Sequence, residues 1–121
     1  MVLKESVLRD TAKSYAKNVV YICRKMKLQK VETVLVNQFL RCSTSIGANI
    51  HEGQYAHGPK DLISKFEIAL KECYESEYWL EILYETSCLE QSDYEKLKSE
   101  CISICRMLVS SVKTLKLKLE K

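Results

Sequence analysis

Ser45-Ile46-Gly47-Ala48-Asn49-Ile50-His51-Glu52-Gly53 is the stretch on which the fold turns. It sets two glycines, an asparagine and a carboxylate inside an otherwise continuous amphipathic pattern. Gly in a helix interior costs about 1 kcal/mol relative to Ala, and Asn is a mediocre helix former. A helix keeps such residues where another backbone comes close or a polar group is satisfied, so this segment is expected to face a crowded interior. Leu35, Phe39, Cys42, Ile46, Asn49 or Ile50, and Gly53 recur at helical spacing and predict a helix over about residues 33–56.

Three further patterns extend outward from it. Leu8, Ala12, Tyr15, Ala16, Val19, Ile22, Cys23 and Met26 predict a helix over about residues 5–28. Leu62, Phe66, Ala69, Leu70, Cys73, Glu77, Leu80 and Tyr84 predict one over about 59–88, and Tyr94 to Leu119 one over about 93–120. Gly58-Pro59-Lys60-Asp61 is a start signal, with Pro in the first turn and an acid at the positive end of the dipole. Ser92-Asp93-Tyr94-Glu95 reads as a capping box. The break near Lys30-Val31-Glu32-Thr33 contains neither Gly nor Pro. Short connections make successive helices antiparallel, so the expected fold is all-α: one antiparallel up-down-up-down four-helix bundle over residues 1–121.

Composition agrees with this. Three glycines and one proline in 121 residues disfavour β architectures. No apolar run approaches a membrane span, and the N-terminus lacks a signal-peptide pattern, so a cytoplasmic protein without a membrane partner is expected. The six cysteines then stay reduced and act as small hydrophobes. There is no Cys-x-x-Cys, and Cys101 and Cys105 are only four residues apart; no metal site and no cofactor is expected.

The predicted third helix is apolar on two sides. Ile68, Glu75, Trp79 and Ile82 recur roughly opposite its main stripe, with Tyr78 beside them. A helix apolar on two sides is buried on two sides, so these five residues are the expected interface of a homo-oligomer. The residues offer little for catalysis. A di-iron centre needs Glu-x-x-His pairs, and neither His51 nor His57 follows a Glu at that spacing. No phosphate-binding glycine loop or nucleophile–base pattern is present, so no enzyme is expected. Glu77, Asn49 and Glu52, near apolar faces, read as a structural polar network with Arg41 or a tyrosine.

Charge carries the functional signal. Residues 4–30 hold eight basic side chains against Glu5 and Asp10, whereas residues 60–90 are strongly acidic. Arg9, Lys13, Lys17, Arg24 and Lys27 fall within about a quarter-turn of one another on the first helix. Arg106, Lys113 and Lys116 form a weaker stripe on the fourth. Such stripes match the footprint of nucleic-acid binding, where phosphate neutralisation supplies most non-specific affinity. The rival readings are a solvated face, pairing with the acidic third helix inside the bundle or across a subunit contact, or an adaptor or assembly scaffold whose basic helix docks on an acidic protein surface.

The run Gln38-Phe39-Leu40-Arg41-Cys42-Ser43-Thr44-Ser45-Ile46-Gly47-Ala48-Asn49-Ile50-His51-Glu52-Gly53 resembles the signature of a bacterial four-helix bundle family. That family includes proteins encoded in intervening sequences of 23S ribosomal RNA genes and the accessory variability protein of diversity-generating retroelements. Gln38, Arg41, Ser45, Ile46, Asn49, Ile50, Glu52 and Gly53 fit the pattern, while Cys42 stands where Ala is usual. Lys60-Asp61-Leu62-Ile63, Ile68-Ala69 and Glu75 extend the likeness, with Glu72 where a small residue is common. The resemblance implies an antiparallel bundle assembling into a homopentameric barrel without an enzyme site. In the retroelement branch it also implies binding to nucleic acid and to a reverse transcriptase. It makes Arg41, Ser45, Asn49, Glu52 and Gly53 structural motif residues.

Overall fold

The computed structural model describes residues 3–120 as four helices: α1 (Leu3–Leu28), α2 (Thr33–Gly53), α3 (Pro59–Glu85) and α4 (Gln91–Leu119). Each helix packs on its neighbours in sequence, and α4 closes the ring against α1. Polar contacts show which ends meet. Arg9 reaches Gln54 at 3.0 Å, Lys65 reaches Glu52 at 3.1 Å, Lys116 lies 2.9 Å from Glu67, and Lys25 lies 3.2 Å from Asp93.

The helix ends differ from expectation in instructive ways. Pro59 opens α3 as expected, and Asp61 accepts the His57 amide at 3.0 Å. Gly58, just before it, has φ 143° and ψ 178°, a region essentially reserved for glycine. The Ser92 capping box does not form. α4 begins at Gln91 without a side-chain cap, Ser92 lies within its first turn, and Gln91 instead donates to Glu95 at 2.9 Å. α2 stops at Gly53 and α3 at Glu85, each three residues short of the expected end.

Two of the helices end on left-handed residues that are not glycine. Lys30 has φ 62°, and the next amide, of Val31, donates to the Met26 carbonyl at 3.0 Å. Ser87 has φ 65°, and the Cys88 amide donates to the Leu83 carbonyl at 2.7 Å. Both are Schellman endings, which satisfy carbonyls that the helix leaves open. The left-handed conformation costs an L-residue about 1–2 kcal/mol, and glycine gives back about 0.5–1 kcal/mol through chain entropy. Ser87→Gly is therefore expected to stabilise the protein by about 0.5–1 kcal/mol, measured as a shift of the urea midpoint. An unchanged or lowered midpoint would show that Ser87 sits there without strain.

The core is one continuous cluster drawn from all four helices. Leu8, Ala12, Tyr15 and Val19 of α1 meet Val36, Phe39 and Ile46 of α2, Ala69, Leu80 and Leu83 of α3, and Ile104 and Leu108 of α4, all fully buried. Cys23, Cys42, Cys73 and Cys101 lie in the same interior, while Cys88 and Cys105 are half-buried. Burial pushes the Cys23 thiol up to about 11 and the Cys42 thiol up to about 12, so both stay protonated and pack as small apolar groups.

One polar chain crosses the interior. The Tyr15 hydroxyl lies 2.6 Å from Ser76 Oγ, which lies 2.7 Å from Ser43 Oγ, and all three residues are fully buried. This corrects the expectation for α3: Ser76, not Glu77, takes the buried polar position, and Glu77 is half-buried. Among the described residues, no buried side-chain nitrogen or oxygen lacks a partner.

Candidate nucleic-acid interface

The α1 cations emerge on the side of the helix that faces α2 and solvent. Lys13, Lys17, Arg24 and Lys27 are exposed, and none forms an ion pair with a described residue. Arg9 is half-buried; it donates to Gln54 Oε1 at 3.0 Å, and its Nε lies 3.9 Å from Asp10. The Arg24 guanidinium stands 6.0 Å from the centre of the exposed Tyr21 ring.

Arg9 and Lys13 also line a cleft of about 460 Å³ between α1 and α2, together with Asp10, Ala16, Thr44, Gly47, Ala48 and His51. Its floor follows from the sequence. A Cβ on Gly47 would stand in ordinary contact, 3.6 Å from the Ala12 carbonyl oxygen, and Ala16, Gly47 and Ala48 give the cleft a low floor below Arg9 and Lys13. His51 and Thr44 were absent from the expected site. Their place at the cleft depends on how α2 packs on α1, although the Gly47 to His51 spacing already puts both on one face.

The α4 cations do not join this surface. Lys113 and Lys116 line a different cleft, between α3 and α4, with Glu67, Leu70, Val109, Val112 and Leu117. Lys116 pairs with Glu67 at 2.9 Å, and Arg106 is exposed. Arg9 and Lys13 thus line one groove of the chain, and Lys113 and Lys116 another.

On α3, Ile68 is 42% exposed and Tyr78 55%, and Tyr74, which the sequence reading did not single out, is 53% exposed. Trp79 and Ile82 are half-buried. Trp79 packs against the core and donates from Nε1 to Glu75 Oε2 at 3.1 Å. Glu75 pairs in turn with Arg41, whose hydrogen bond holds this carboxyl below the ordinary range. Two of the five expected interface residues, Glu75 and Trp79, are therefore already engaged within the chain.

The motif of α2 mostly faces α3. Arg41 also reaches Glu72 at 3.2 Å and Gln38 at 3.4 Å, and Glu52 meets Lys65 at 3.1 Å. A Cβ on Gly53 would meet Leu62 Cδ1 at 3.0 Å and Phe66 Cε1 at 3.1 Å, so this glycine marks a close approach. Asn49 bonds within its own helix, donating to the Ser45 carbonyl at 2.9 Å.

These features define a four-helix bundle protein with a cationic cleft between two of its helices. The chain belongs to the 23S rRNA-intervening sequence protein family, whose model matches residues 4–110. It is also similar to a crystallised protein of unknown function from the S23 ribosomal protein family of Bacteroides thetaiotaomicron. The two share 37% identity with a TM-score of 0.88, over 92% of this chain and 99% of that one. No curated protein matches the chain. Among the described residues, no helix is long and apolar enough to cross a membrane.

Proposed function

We propose that this protein is a non-enzymatic, self-associating bundle of antiparallel up-down-up-down helices that binds nucleic acid through the α1 face. The observation that carries the reading is the row Lys13, Lys17, Arg24 and Lys27, exposed and free of ion pairs with described residues. α1 packs against α2 and α4, so this row lies away from the acidic helix α3 within the chain. Glu72 and Glu75 of α3 pair with Arg41, and Glu67 pairs with Lys116. Family membership supports a link to ribosomal RNA gene insertions, and the exposed α3 aromatics support self-association, with a pentamer the form expected from the resemblance. A reverse transcriptase is the protein partner expected in the retroelement branch.

Affinity for an oligonucleotide is expected to fall steeply with added salt and to depend little on sequence. Lys13→Glu with Lys17→Glu should weaken binding by about tenfold or more, with helicity and assembled mass unchanged. Fluorescence anisotropy with single-stranded and duplex oligonucleotides at low salt measures this. Absence of binding by the unmodified protein at tens of micromolar would replace the reading with the adaptor or scaffold.

A further inference from the structure

Away from the basic cleft, three sulfurs converge between α3 and α4. Cys73 lies 2.8 Å from Cys105 and 3.6 Å from Cys101, and all three sulfurs fall within 4.8 Å of one another. Cys101 and Cys105, one turn apart, present their thiols from the same face of α4 to the single thiol of α3. Cys73 and Cys101 also point at each other's backbone carbonyls, each at 3.4 Å, which fixes both side chains. Cys105 is the half-buried member of the three.

We propose that Cys73, Cys101 and Cys105 form a three-thiolate site for a soft d10 metal ion. Metal–sulfur bonds of about 2.3 Å place three sulfurs about 4 Å apart in a trigonal arrangement. The Cys73–Cys105 and Cys73–Cys101 separations, 2.8 Å and 3.6 Å, are shorter than that value, so the sulfurs have to spread to take up the ion. The donor set selects the ion: three thiolates favour soft metals over magnesium, calcium or manganese, which prefer oxygen. His51 and His57 belong to the α2–α3 end of the chain and supply no fourth nitrogen here, so a fourth position falls to water entering beside Cys105. Binding releases the thiol protons to solvent, and a divalent ion leaves the three thiolates with one net negative charge. That is less to bury than three bare thiolates would be. Cys23 and Cys42, buried singly elsewhere in the core, lack any such grouping.

Cadmium(II) is the probe, added to the reduced full chain without oxygen while thiolate-to-cadmium absorbance is followed. The expected result is one ion per chain, with a band of the amplitude of three sulfurs. Cys105→Ser should remove about a third of the band and lower affinity at least tenfold, the loss that even an outer partner of a metal ligand can cause. Cys88→Ser, at a half-buried thiol outside the cluster, should change neither. Far-UV helicity checks that each variant is folded, and Cys105→Ala serves if the serine is poorly accommodated. A band of two sulfurs or fewer in the unmodified protein, or one that Cys105→Ser and Cys105→Ala leave intact, would overturn the site.

Discussion

Tyr15→Ala is expected to destabilise the protein by about 3–5 kcal/mol, the range for removing a large aromatic side chain from a packed core. Tyr15 heads the largest fully buried side chains of the molecule, so its ring leaves a cavity that three neighbouring helices must line. The same change strips Ser76 of the hydroxyl at 2.6 Å, although Ser43 at 2.7 Å remains as a partner. Tyr15→Phe separates the two effects: it keeps the ring and should cost about 1 kcal/mol, the net worth of one hydrogen bond. With total stabilities of about 5–15 kcal/mol, the alanine variant approaches the unfolding threshold and the phenylalanine variant does not. Chemical denaturation of both variants measures this. Equal losses would mean that the hydroxyl, not the packing, dominates at this position.

The second large effect concerns assembly. Ile68→Lys combined with Tyr78→Lys is expected to dissociate the proposed oligomer while each chain keeps its helicity. Both side chains are exposed in the single chain, at 42% and 55%, so charging them disturbs no internal packing. At a symmetric interface, each lysine is introduced as many times as there are copies, which multiplies the penalty of burying charge. Trp79 is the poorer choice, because it also supports the core and the Glu75–Arg41 pair. Sedimentation equilibrium gives the readout. A monomer of 14.0 kDa before any substitution would remove the interface from α3 altogether.

The four helices were legible because burial follows the 3.6-residue period over long stretches, and Leu8, Phe39, Leu80 and Ile104 all sit where that period puts them. Their ends were harder to read. Lys30 and Ser87 hold left-handed turns without being glycine, and Glu90 precedes α4 without a capping bond. The α1 stripe could be read from one helix alone, since it needs only angles around a cylinder. The cleft could not, because Thr44 and His51 reach it by the packing of α2 on α1. For the same reason, the separation of the α1 and α4 cations emerges only once Lys116 is seen against Glu67. Ser76 was overlooked because it adjoins Glu77, a more conspicuous polar residue one step along the same helix. The thiol cluster draws on two helices, so the spacing of Cys101 and Cys105 gave no hint of Cys73.

The small residues of the α1–α2 cleft leave it with a floor that has nothing to say. Ala16, Gly47 and Ala48 offer methyl groups and helical backbone, and Thr44 turns its hydroxyl back to the Leu40 carbonyl at 2.8 Å. Amides already committed inside helices cannot address the edge of a base, so a strand bound as proposed would meet a smooth bed beside the Arg9 and Lys13 bank of α1. If the proposed binding holds, discrimination at such a place comes from how a polymer bends and how its phosphates are spaced, with the order of its letters left unread.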